Sequence, residues 1–143
     1  MAYRFVVEVS TEPRHFARGH LDNAGGAELL SCARNRYFAE AVAWPGIGPN
    51  TIWLPVRHVA IGYESEAFAG ERLRCGVRAR GRTVRTITVE QTMWEARSRR
   101  VVLSCTAVIV VFDTVAQRSI PVPDELWAAV QKAEYSASRE GKG

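Results

Sequence analysis

Gly19-His20-Leu21-Asp22-Asn23-Ala24-Gly25-Gly26, running directly into residues 27–42, is the stretch that decides the fold. Within residues 24–43, apolar or small side chains recur at 26, 29, 30, 33, 37 and 41, the spacing of one helical face. Asp22 or Asn23 is placed to cap this helix. Trp44-Pro45-Gly46-Ile47-Gly48-Pro49-Asn50 breaks it. The first turn of a helix leaves backbone N–H groups unpaired and concentrates positive potential. A turn this free of bulky side chains can hold an anion or a developing oxyanion.

Outward from the helix the pattern changes to strands. Residues 3–12 alternate, with Phe5 and Val7 set against Arg4 and Glu8, and 13–19 form a connection. Four strands are expected after the helix, at about 52–66, 71–81, 83–96 and 99–113. The second places Leu73, Cys75, Val77 and Ala79 on one face and Arg72, Arg74, Arg78 and Arg80 on the other. Gly81-Arg82 and Arg97-Ser98-Arg99-Arg100 read as hairpin connections. Pro121-Val122-Pro123-Asp124-Glu125-Leu126 opens a short terminal helix through about Glu134. The expectation is a single α+β domain over 1–135 with a polar tail at 136–143 and no internal repeat.

Composition narrows the function classes. At 143 residues and 47% apolar content the chain suffices for one domain with a substantial core. No apolar run reaches membrane-spanning length, and Met1-Ala2-Tyr3-Arg4-Phe5 lacks a signal-peptide pattern, so a cytoplasmic protein without membrane partners is expected. Cys32, Cys75 and Cys105 match no zinc or redox motif, and Cys75 and Cys105 read as small buried hydrophobes. No metal or other cofactor is expected. The net charge of +4 is almost all arginine, since Lys132 and Lys142 are the two lysines. Arginine suits phosphate and carboxylate contacts, whereas no aromatic-interleaved basic motif points to nucleic acid.

With these elements in place, the chain resembles the hotdog-fold acyl-thioester hydrolases of the 4-hydroxybenzoyl-CoA thioesterase-like group. Gly19-His20-Leu21-Asp22-Asn23 is similar to the turn before that family's central helix. Arg34 stands fifteen residues after the turn glycine, where members often carry arginine. Ala67-Phe68-Ala69-Gly70-Glu71, Gly81-Arg82-Thr83, Phe112-Asp113 and the Pro121–Leu126 entry follow in the family's order. The resemblance implies an antiparallel five-stranded sheet wrapped around a long central helix, with a short C-terminal helix. It further implies a homodimer or dimer of dimers acting on an acyl-CoA or acyl-carrier-protein thioester.

The resemblance breaks where the family keeps its acid. Phe16 stands three residues before the turn glycine, where many members have aspartate. Ala33 stands seven after Gly26, where a second branch has a carboxylate. Glu28 follows Gly26 by two and lies roughly 140° round the helix from Ala33, a poor substitute. The enediyne-type polyketide thioesterases also lack the acid and rely on helix-start amides, a polar residue near the turn and a helix arginine. Arg34 fits that group; Phe16, where they have asparagine, does not.

On this reading Asn23, Arg34, His20 and Asp22 are the candidate catalytic residues. Phe16, Gly19, Ala24, Gly25 and Gly26 would line the substrate, and Arg80, Arg82 and Arg85 would meet coenzyme A phosphates. Each has a plainer alternative: Asn23 and Asp22 as caps, His20 bonded to backbone, the arginine row as a solvated face. Arg34 lies on the apolar stripe, where a charge needs a partner or a cleft. An ion pair across a subunit contact is its plainer role. His15 and His58 have no partner that sequence identifies. A hotdog dehydratase would need a histidine and acid pair, which the missing helix carboxylate argues against. A non-catalytic acyl-thioester binding subunit remains the competing reading.

Overall fold

The computed structural model describes residues 3–140, with side chains through Tyr135. In chain order it contains β1 (Phe5–Val9), β2 (Phe16–Ala17), β3 (His20–Leu21), α1 (Asn23–Arg36), β4 (Ile52–Trp53), β5 (Val56–Tyr63), β6 (Leu73–Arg82), β7 (Thr86–Glu95), β8 (Val101–Asp113), β9 (Arg118–Ile120) and α2 (Asp124–Glu140). Five long strands pair antiparallel in the order β1-β6-β7-β8-β5. The short β4 and β9 add to the end of β8 at Val111–Asp113. The sheet curves around α1, and the hotdog architecture is realised.

The alternation read from the sequence explains the layering. Cys75 and Val77 of β6, Ile87, Val89 and Met93 of β7, and Leu103, Cys105, Ile109 and Val111 of β8 are buried in one cluster with Leu29, Leu30, Ala33, Tyr37 and Phe38 of the helix. The arginines of β6 face outward. Arg72 and Arg74 pair with Glu8, and Arg78 and Arg80 with Glu90. Exposed pairs of this kind hold little stability, and the solvated-face reading accounts for them.

Several expectations shift. The strand expected at 52–66 is broken at Leu54-Pro55 into β4 and β5, because proline cannot donate to the ladder. The connection 13–19 contains a turn of 3-10 helix at Pro13–His15, then β2 and the tip of its hairpin with β3. Arg18 and Gly19 at the hairpin tip both have positive φ, 54° and 83°, which a two-residue turn of the primed type requires. After Arg36 the central helix widens into a π-helix at Tyr37–Val42 and ends at the left-handed Ala43. α2 extends past the expected end near Glu134 as far as Glu140. Residues 141–143 of the expected tail, and Met1 and Ala2 of the expected domain, lie outside the described residues. Among the described residues no helix is long and apolar enough to cross a membrane.

Candidate functional site

The helix entry is built from short-range bonds. Asp22 is the N-cap: its Oδ1 accepts the Gly25 N–H at 2.6 Å and its carbonyl accepts the Gly26 N–H at 2.9 Å. Asn23, the alternative cap, is instead the first helical residue. Gly25 is required by a close approach, since a Cβ there would stand 2.5 Å from the His15 carbonyl oxygen. That carbonyl in turn accepts the Asp22 N–H at 3.0 Å. With Gly25 and Gly26 engaged, the Asn23 and Ala24 N–H groups are the first-turn donors left open among the described residues, and both residues are exposed.

A second segment is bolted to this turn. Leu21 N–H donates to the Ala67 carbonyl at 2.8 Å, and Ala69 N–H to the Gly19 carbonyl at 2.9 Å. The two bonds bring Glu66 to the site, where its carboxylate meets His20 Nδ1 at 2.9 Å. The His20 ring also packs on Phe68, 4.9 Å between centroids. A cavity of about 230 Å³ opens there, lined by Asp22, Asn23, Tyr63, Ser65, Glu66 and Leu103 among others. Glu66 is a carboxylate of the site that sequence reasoning missed. No local spacing points to it, because His20 and Glu66 are 46 residues apart.

Phe16 is half-buried and pairs across the hairpin with Leu21. His15 does have partners. Its Nδ1 accepts the Glu12 N–H at 2.9 Å, which leaves Nε2 to meet Glu28 at 3.1 Å. Arg14 grips the same Glu28 bidentately at 2.5 and 2.6 Å, and its hydrogen bond is the main reason that carboxyl sits below its usual range. Glu28 therefore fastens the turn at 12–15 onto α1.

Arg34 is not brought to the helix entry. Eleven residues separate it from Asn23, about 16 Å of helical rise. The residue is 8% exposed, and its guanidinium donates through Nη1 to Gln91 Oε1 at 2.8 Å. Gln91 is fixed in turn by its Nε2, which donates to the Leu30 carbonyl at 2.8 Å. Among the described residues no carboxylate lies within ion-pair distance of Arg34. Burial pushes its pKa down, and burial pushes the neighbouring Cys75 thiol up to about 12. Gln91 had a visible signal: it is the one polar residue in the inward row Ile87, Val89, Gln91, Met93.

Within one chain the arginines expected to meet phosphate lie at the other end of the sheet. Arg82 pairs across the ladder with Ile87, which pairs with Ile109. Leu103, which lies against Gly26, is six residues or about 20 Å along β8 from there. Arg80 pairs with Glu90, Arg82 stacks over Trp127 at 5.4 Å, and Arg85 donates to the Ser119 carbonyl at 3.3 Å. No group of three or more His, Cys, Asp or Glu side chains converges as a metal cage among the described residues.

A family model described as the thioesterase-like superfamily matches residues 17–130. The fold is similar to a thioesterase from Thermus thermophilus solved with coenzyme A and Zn, with 21% identity and a TM-score of 0.78. That alignment covers 92% of this chain and 95% of that one. It is also similar to a probable thioesterase from Escherichia coli, at 17% identity and TM-score 0.78, covering 90% and 97% of the two chains. A 1,4-dihydroxy-2-naphthoyl-CoA thioesterase from Synechocystis aligns at 15% identity and TM-score 0.75, covering 88% and 94%. No curated protein sequence matches the chain.

Proposed function

The chain belongs to the thioesterase-like superfamily, and from that premise we propose that it hydrolyses an acyl thioester without the family's usual carboxylate. The observation that carries the reading is the pair of open N–H groups at Asn23 and Ala24, the first of them on a residue that lines a polar cavity at the start of α1. Water adds to the thioester carbonyl carbon, the carbonyl oxygen takes up the negative charge, and these two donors hold it. The C–S bond then breaks, and the proton that the added water gives up goes to the departing sulfur, releasing the acid and the thiol. A donor aimed at such an oxyanion is worth about 2.7–4 kcal/mol in the transition state. The role of holding the water is assigned to His20, whose Nδ1 meets Glu66, a residue that lines the cavity. Asp22 commits one oxygen to the cap.

The substrate is an acyl-CoA or acyl-carrier-protein thioester, and the setting is the cytoplasm. Arg34 and the absent acid favour kinship with the enediyne-type polyketide enzymes, whereas Phe16 does not. The active form is a homodimer or dimer of dimers built on β5. Among the described residues that edge strand pairs with β8 alone, and it exposes Val56, Val59 and Tyr63. An exposed strand edge is a template for pairing with another chain. In such an assembly Arg80, Arg82 and Arg85 would serve coenzyme A phosphates bound at another copy's helix entry.

Phe16 and Ala33 at the two usual acid positions favour one rival, a subunit that binds acyl thioesters and leaves them intact. Thiol release by the parent protein over a panel of acyl-CoA and acyl-carrier-protein substrates separates the two. Slow but measurable turnover is expected, since a general base is typically worth 10²–10⁴-fold. No release from any substrate would favour the binding subunit. A monodisperse monomer at micromolar concentration would count against the assembly.

A further inference from the structure

We propose that the cavity between the second half of α1 and residues 43–54 binds an apolar carboxylate, with its charged head against Arg34. The cavity holds about 570 Å³ and is lined by Arg34, Phe38, Trp44, Ile47, Trp53 and Leu54 among others. That volume falls in the range of small-molecule sites, which combine apolar walls with a few placed polar groups. Here the placed polar group is a cation.

Arg34 is the anomaly that argues for a ligand. A buried guanidinium without a counter-charge is costly, and the partner it has, Gln91, is neutral. Cys75 and Cys105 stand close enough to act on it, but burial pushes both thiols up, toward the neutral form that carries no counter-charge. The guanidinium carries five N–H donors in a planar fork, and Gln91 takes one of its nitrogens. Among the described residues every fully buried side-chain N or O has a partner. The remaining nitrogens of the fork are therefore not sealed away without an acceptor, and Arg34 is a lining residue of this cavity. A planar carboxylate is the acceptor that such a fork fits bidentately.

The walls specify the rest of the ligand. Phe38, Trp44, Ile47 and Leu54 offer apolar surface. Trp53, 60% exposed on the two-residue β4, stands as an aromatic flank. A medium-chain or fused-ring aromatic acid matches this lining. The cavity shares no lining residue with the one at the helix entry. Binding here stands apart from thioester hydrolysis and is measured without it.

The test is calorimetric titration of the full-length protein with octanoate and 2-naphthoate, against 1-octanol and 2-naphthalenemethanol as uncharged matches. The carboxylates are expected to bind at least about tenfold more tightly than the alcohols, the margin of a charge-assisted pair. Arg34→Met is expected to erase that margin while the apolar body still binds. Equal affinity for acid and alcohol, binding of neither, or a margin that survives in Arg34→Met would each overturn the proposal. So would a dimer that dissociates in Arg34→Met, which would place the counter-charge on a second copy. Should that variant fail to fold, Trp53→Ala is expected to weaken acid and alcohol alike by roughly tenfold; unchanged affinity there overturns it as well.

Discussion

The two halves of α1 hold polar groups in opposite ways. At its start, Asp22, Gly25 and Gly26 satisfy one another within four residues on an accessible turn, leaving two N–H donors for a ligand. In its second half, Arg34 is buried on the apolar stripe and depends on Gln91, a residue 57 positions away on β7. One helix thus presents a dipole end that needs no side chain and a full charge that needs a distant one. The first is simple to build and robust; the second is held only while the sheet is correctly seated. This difference sets what substitution at each end should do.

The largest expected effect tests the start of the helix through its backbone. Asn23→Pro deletes one open N–H at the first helical position, where proline is tolerated. Asp22 is already extended, with φ −88° and ψ 169°, as a residue before proline must be. Turnover is expected to fall about 10²–10³-fold with little change in Tm, the signature of a lost oxyanion donor. A variant that keeps the parent kcat would remove Asn23 from the site.

The second half is tested through Gln91. Gln91→Leu leaves a buried guanidinium without its acceptor, and a loss of about 3 kcal/mol in urea unfolding is expected. Adding Arg34→Met should recover part of that loss, giving a coupling of about 1 kcal/mol or more between the sites. Simple additivity would mean that the bond at 2.8 Å contributes nothing. Arg34→Ala is expected to leave thioester turnover near that of the parent, because Arg34 lines a different cavity from the helix entry; a loss of turnover far larger than the loss of stability would put Arg34 in the reaction.

Smaller effects separate the two carboxylates at the entry. Asp22→Ala removes the cap and should cost about 1 kcal/mol of stability. Asp22→Asn keeps an acceptor for Gly25 and should retain turnover within about tenfold of the parent. A thousandfold loss in the folded variant would instead make Asp22 the base. Glu66→Gln is the mildest, with under about 1 kcal/mol of stability expected from an exposed pair. Its turnover should drop by roughly tenfold as His20 loses its orientation, and His20→Ala should match it. Unequal effects of the two would uncouple the pair.

Much of this is legible without coordinates, and the reason is range. The helical face, the alternation of β6, the cap at residue 22 and the break at Trp44-Pro45 are all written within a few residues of where they act. The order of those elements is then enough for the hotdog arrangement. The Leu54-Pro55 interruption is equally local, yet the apolar run on either side looks continuous and hides it.

What pattern does not supply are the partners. Glu66 reaches His20 across 46 residues, and Gln91 reaches Arg34 across 57. Only the ladder register and the bonds joining the loop after β5 to the turn at Gly19–Leu21 bring them together. The same geometry moves Arg80, Arg82 and Arg85 away from the helix entry, although alternation places the β6 arginines correctly on the outer face. Periodicity assigns a residue to a face; which residues of two faces meet depends on register, and register is decided by the packed sheet as a whole.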